Sequence, residues 1–112
     1  MIKASIWQSA DGVYLGYEIF GHAGFAEEGT DIICSAVSAL AINTVNSIST
    51  FTNLKPSTRE SHGHLQVEIA VSEADPDQLD KTQLLLGSLK LGLESIQTSY
   101  GSKYLQVRTI QK

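Results

Sequence analysis

The chain predicts an α+β fold: a ββαβαβ sandwich in which a mainly antiparallel sheet packs against two helices. Three observations carry that reading. Alternating apolar residues mark strands near both ends of the chain and once in its middle. Two longer stretches carry apolar residues every three to four positions, the period of a half-buried helix. Asp11-Gly12 joins the first two strands as a hairpin, because glycine accepts the positive φ that a type I′ turn needs. The hairpin makes one pair antiparallel. The other strand directions stay open, since an intervening helix permits either. Strands that alternate expect one buried sheet face, with both helices packed on it.

Taken in order, Ile2 to Gln8 and Val13 to Phe20 read as the hairpin strands. On the second, Val13, Leu15, Tyr17 and Ile19 are expected on the apolar face. Helix one begins with Thr30 or Asp31 as N-cap and runs to about Ile48, with Ile33, Val37, Leu40, Ala41, Thr44, Val45 and Ile48 as its core stripe. Thr50 to Gly63, which contains Pro56, reads as a loop. Leu65, Val67, Ile69 and Val71 alternate with polar residues as a third strand. Asp75-Pro76 opens helix two, which runs to about Ser99 and stops near Gly101. Tyr104 to Ile110 is the last strand.

Composition narrows the functional classes. With 112 residues and 42% apolar content, the chain makes one domain with an ordinary core. Net charge is −4, the pI is near 5.2, and Lys and Arg are scattered. That argues against an electrostatic grip on nucleic acid. A single Cys rules out an internal disulfide and suits a reducing compartment. The sequence shows no signal-peptide core and no apolar run long enough to span a bilayer, so a cytoplasmic protein with no membrane contact is expected. Phosphate-loop and dinucleotide motifs are absent, and no cofactor is expected.

The chemistry concentrates between Gly21 and Leu40. Cys34 sits just after the expected helix start, where unpaired backbone N–H groups and the helix dipole favour thiolate over thiol. His22 lies twelve residues upstream, across a loop that contains Gly24 and Gly29. Folded back, it would complete a nucleophile and base pair. The same residues admit a plainer reading, in which Cys34 packs as a small hydrophobe and His22 is a solvated loop residue. Asp31 serves as a cap, or it also orients His22 as the third member of a triad. Ser38, one turn after Cys34, leans back towards the sulfur, or bonds the carbonyl four residues earlier.

The run resembles the signature of the Prp family, small bacterial cysteine proteases that process ribosomal proteins. That signature is a G-H dipeptide, a glycine-containing loop, and D-[IL]-[IV]-C-[AS]-[AG]-V-S-A. Here it reads Gly21-His22, Ala23 to Thr30, then Asp31-Ile32-Ile33-Cys34-Ser35-Ala36-Val37-Ser38-Ala39. Asn43-Thr44-Val45-Asn46-Ser47-Ile48 also fits the family's helix, and length and element order agree. The resemblance implies Cys34 and His22 as catalytic residues, with Gly21, Asp31 and Ser38 supporting them. It implies acyl transfer, with Cys34 attacking a peptide carbonyl, helix-start N–H groups holding the oxyanion, and His22 protonating the leaving amine. The implied substrate is the N-terminal extension of a large-subunit ribosomal protein precursor, cut next to aromatic residues. Tyr17, Phe20 and Phe25 are candidates to line a pocket for such a side chain.

Ala23, Gly24, Phe25, Ala26, Glu27, Glu28 and Gly29 read as a mobile lid, with Phe25 as an apolar plug over the thiol. On helix two, Leu79, Leu86, Leu89, Leu93 and Ile96 form the core stripe. Leu84 and Leu91, beside Ser88 and Ser95, project from the other side, and a homodimer is expected, in line with the family. Two other classes compete with the protease. One is a ribosome-associated binding module with an inert, buried Cys34. The other is a metal site built from His22, Cys34, His62 and His64, which lacks any second cysteine; the favoured reading has no metal.

Overall fold

The computed structural model describes residues 1–27 and 30–112. Two helices pack on one face of a five-stranded sheet. β1 (Ile2–Gln8) and β2 (Tyr14–Gly21) form the expected hairpin, and α1 (Ile32–Thr52) follows. β3 (Ser57–Ser61) and β4 (His64–Glu68) form a second hairpin, a 3₁₀ turn spans Val71–Glu73, and α2 (Pro76–Tyr100) leads into β5 (Leu105–Gln111). The sheet order is β3-β4-β2-β1-β5. All neighbours are antiparallel except β1 and β5, which run parallel.

β3 lies where a loop was expected. All five of its residues are exposed, so no apolar alternation marks it. It is an edge strand held by backbone pairing to β4, with Ser57 opposite Glu68 and Ser61 opposite His64. A second difference lies in β2. The β1–β2 register slips between Trp7 opposite Gly16 and Gln8 opposite Tyr14, which leaves Leu15 in a bulge. The bulge reverses the alternation, so that Tyr14, with Tyr17 and Ile19, packs against the core in place of Leu15. Gly16 belongs here because a β-carbon would lie 2.1 Å from the Val67 carbonyl oxygen. The expected third strand stops at Glu68, and Val71 opens the 3₁₀ turn instead.

The core sits between the helices and the sheet. Ile2, Ala4, Ile6, Tyr17, Val67 and Leu105 meet Ile33, Val37, Ala41 and Ile48 of α1 and Leu86, Leu89 and Leu93 of α2. Each fully buried Ile or Leu side chain contributes about 1.5–3 kcal/mol. Tyr17 is wholly buried, and its hydroxyl donates to the Ala41 carbonyl at 2.6 Å. It is therefore a core residue and lines no substrate pocket. The helices meet where Leu40 packs against Gly92.

Helix boundaries follow local chemistry. Asp75 and Gln78 form a reciprocal capping box around Pro76 at the start of α2. α1 runs one turn beyond Ile48 and ends at Asn53, which adopts φ 63°. α1 has 21 residues, and with an 18-residue stretch of mean hydropathy 1.5 it is long and apolar enough to cross a membrane, which corrects the expectation that no such run exists. Here its apolar stripe is packed into the core instead.

Candidate active site

The last residue of β2 begins the site. The Gly21 N–H donates to the Gly63 carbonyl at 2.8 Å, which ties the strand end to the turn between β3 and β4. His22 follows, and its ring lies against Gly63 and 5.3 Å from the ring of His62. The chain then dips inward. Ala23 is buried, and its N–H donates to the Cys34 sulfur at 3.3 Å.

Asp31 holds the other side. It caps α1, placing Cys34 third in the helix, within the first turn where the dipole acts. Its Oδ1 accepts from the N–H groups of Ile33 and Cys34, both at 3.0 Å. Its Oδ2 accepts from Phe25 at 3.0 Å and Ala26 at 3.3 Å. Burial raises the pKa of this carboxyl, but the four donors outweigh it and hold the group below its usual range. Among the described residues no hydrogen bond joins Asp31 to His22, so Asp31 caps the helix and anchors the loop, with no triad contact. Three of the helix-start N–H groups expected to hold an oxyanion are occupied: Ile33 and Cys34 bond the Asp31 side chain, and Ser35 bonds its carbonyl.

Gly21, His22, Cys34 and Ser38 line one cavity of about 360 Å³. Its floor is apolar, built from Ile2, Ile19, Val37, Ala41 and Leu65, and Glu60, Ser61 and His62 also line it. Cys34 is half-buried there, open to the cavity rather than sealed in the core. Sequence reasoning missed the floor because its residues come from four separate elements, and Ile2 and Leu65 look like ordinary strand core. His62 was legible only as a metal ligand; among the described residues no group of three or more His, Cys, Asp or Glu could hold a metal ion.

The aromatic candidates point elsewhere. Phe20 is exposed and packs edge-on to His64, whose Nε2 pairs with Glu18 at 2.6 Å. Phe25 packs edge-on against Tyr100 and Tyr104, not over Cys34, so it does not plug the cavity. Glu28 and Gly29 of the expected lid lie outside the described residues.

A family model described as cysteine protease Prp matches residues 1–106. The chain belongs to the Prp family. It is a cysteine protease. The Prp protein of Bacillus subtilis, named a ribosomal processing cysteine protease, is 35% identical over 102 residues, covering 89% of this chain and 90% of its own. A Staphylococcus aureus Prp of the same name is 28% identical over 102 residues, covering 89% of this chain and 92% of its own. A crystal structure of Prp from S. aureus with a covalently linked product peptide superposes with a TM-score of 0.86 at 25% identity, covering 98% of this chain and all of that one. The structure of SMU.848 from Streptococcus mutans gives 0.81 at 27% identity, covering all of this chain and 96% of that one. The Prp fold is thus the α+β arrangement expected from the sequence, with one strand more.

Proposed function

We propose that this Prp protease removes the N-terminal extension of a large-subunit ribosomal protein, cutting next to an aromatic residue. The observation that carries this reading is a thiol and an imidazole lining one cavity whose floor is apolar. In the mechanism, Cys34 attacks the scissile carbonyl, His22 protonates the departing amine, and water then releases the acyl enzyme. Ile2, Ile19, Val37, Ala41 and Leu65 offer a surface that favours a large apolar side chain over a charged one. Relatives named as ribosomal processing proteases supply the substrate class.

The enzyme works in the cytoplasm, as its single cysteine and acidic charge suit, and recognises peptide without gripping nucleic acid or membrane. The expected lid from Ala23 to Gly29 orders over bound peptide while Ala23 keeps its place beside Cys34, and hydrogen exchange that is equal with and without peptide would rule this out. Two copies associate through the face of α2 that exposes Leu84 and Leu91.

The decisive experiment incubates the protein with the extended ribosomal protein of its own organism and locates the new N-terminus by mass spectrometry. Cys34→Ser and His22→Ala are expected to fold and to yield no product. Cleavage at the wild-type rate by either variant would remove the Cys-His mechanism.

A further inference from the structure

We propose that the oxyanion of the reaction is held by the backbone N–H of Ala23, and that Asp31 acts as the positioning residue that keeps it there. The inference deepens the Cys34 mechanism above and rests on it. It begins from an accounting of donors. A cysteine in the first turn of a helix ordinarily has free helix-start N–H groups beside it. Here Asp31 has taken those of Ile33 and Cys34, and the Ser35 N–H makes the first bond within the helix. The backbone donor aimed at the reacting atom comes from the loop instead: Ala23 N–H, 3.3 Å from Sγ.

The chemistry of the step explains why that donor matters. As the bond from Sγ to the substrate carbonyl carbon forms, the carbonyl π pair moves onto oxygen. Negative charge passes from sulfur to an oxygen carried on the carbon now bonded to it. A donor already beside the sulfur transfers its hydrogen bond to that oxygen with little movement, which is the preorganisation that makes such donors effective. When the intermediate collapses, the carbonyl reforms, the C–N bond breaks, and the amine takes a proton from His22. Ala23 is buried and its bond to the sulfur is part-buried, so this N–H is partly shielded from solvent, where a hydrogen bond to charge is worth more than in open water.

Asp31 supplies the register. Its Oδ1 binds the helix start that carries Cys34, and its Oδ2 binds the amides of Phe25 and Ala26, two and three residues beyond Ala23. One carboxylate therefore clamps donor and nucleophile to each other. Asparagine separates its two tasks. The Oδ1 of Asn still accepts from Ile33 and Cys34, and Asn is an equally good cap. Its NH₂ cannot accept from Phe25 and Ala26 and opposes them with hydrogens of its own.

The test removes the N–H itself. Cys34 is a native ligation point, so a synthetic segment 1–33 with Ala23 replaced by its α-hydroxy acid can be joined to residues 34–112. The ester keeps the side chain and deletes only the donor. For the folded ester, kcat on the extended ribosomal protein is expected to fall roughly 10²–10³-fold with KM little changed. Asp31→Asn is expected to keep its melting temperature within a few degrees and lose kcat by a smaller factor, tenfold or more. Wild-type kcat in the folded ester overturns the proposal; should the ester not fold, wild-type kcat in Asp31→Asn overturns it. Wild-type protein and Cys34→Ser run alongside, so failure of the nucleophile assignment shows separately.

Discussion

The imidazole of His22 occupies the space that a side chain at Gly63 would need. A β-carbon there would stand 2.9 Å from His22 Nε2, and Gly63 itself adopts φ 71°. The turn between β3 and β4 thus seats the histidine, and the Gly21 N–H bond to the Gly63 carbonyl fixes the turn relative to β2.

Gly63→Ala is therefore expected to act on the site more than on the fold. Left-handed backbone costs a residue with a β-carbon about 1–2 kcal/mol. The displaced ring should cost more, since moving a reacting group by about 1 Å lowers rates roughly 10²-fold. Parallel measurement of thermal unfolding and kcat/KM checks this, and activity that falls no further than stability would deny His22 its seat on Gly63.

Tyr17→Phe tests the assignment of Tyr17 to the core. Losing the buried bond to the Ala41 carbonyl should cost about 0.5–1.5 kcal/mol and leave cleavage unchanged. Burial pushes the Tyr17 hydroxyl well above its ordinary pKa of 10.0. The folded state therefore keeps a proton that the unfolded chain gives up. Stability from this source is complete below pH 10 and lost as pH rises through the folded value. Denaturant titrations between pH 8 and pH 11 should show a steeper alkaline loss in wild type than in the variant.

On the face of the sheet away from the helices, hydrogen bonds from His64 and Gln66 draw the Glu18 carboxyl below its usual range, against the effect of burial. A depressed carboxyl contributes stability above its unfolded pKa and loses it as pH falls through the folded one. Glu18→Gln should flatten the fall in melting temperature below pH 4.5. The pair is partly exposed, so an effect of about 1 kcal/mol or less is expected.

Association is checked on α2. Leu84 and Leu91 are 75% and 68% exposed, a heptad apart on the side away from Leu86, Leu89 and Leu93. Light scattering at micromolar concentration should report a dimer for wild type and a monomer for the double variant Leu84→Glu, Leu91→Glu. An active wild-type monomer would dispose of this interface.

The hairpin, both helices and the Asp31 cap were legible in the sequence because each has a local cause. Gly12 permits the turn, Asp31 and Asp75 find donors two or three residues ahead, and the apolar stripes repeat at helical spacing. Contacts between distant segments left no such mark. β3 buries nothing, so its five exposed residues read as loop until β4 supplies their hydrogen-bond partners. The parallel pairing of β5 with β1 depends on how α2 crosses the sheet. The cavity floor forms only when Ile2, Ile19 and Leu65 come together beneath Val37 and Ala41 of α1. Asp31 shows the division within one side chain. Its Oδ1 bonds were foreseeable from the cap alone, while the loop's return path directed its Oδ2 to Phe25 and Ala26 and away from His22. Period and capping act over a few residues and are written in order along the chain. The partners of an edge strand, a cavity floor or a second carboxylate oxygen are chosen by packing, which brings together residues that the sequence keeps far apart.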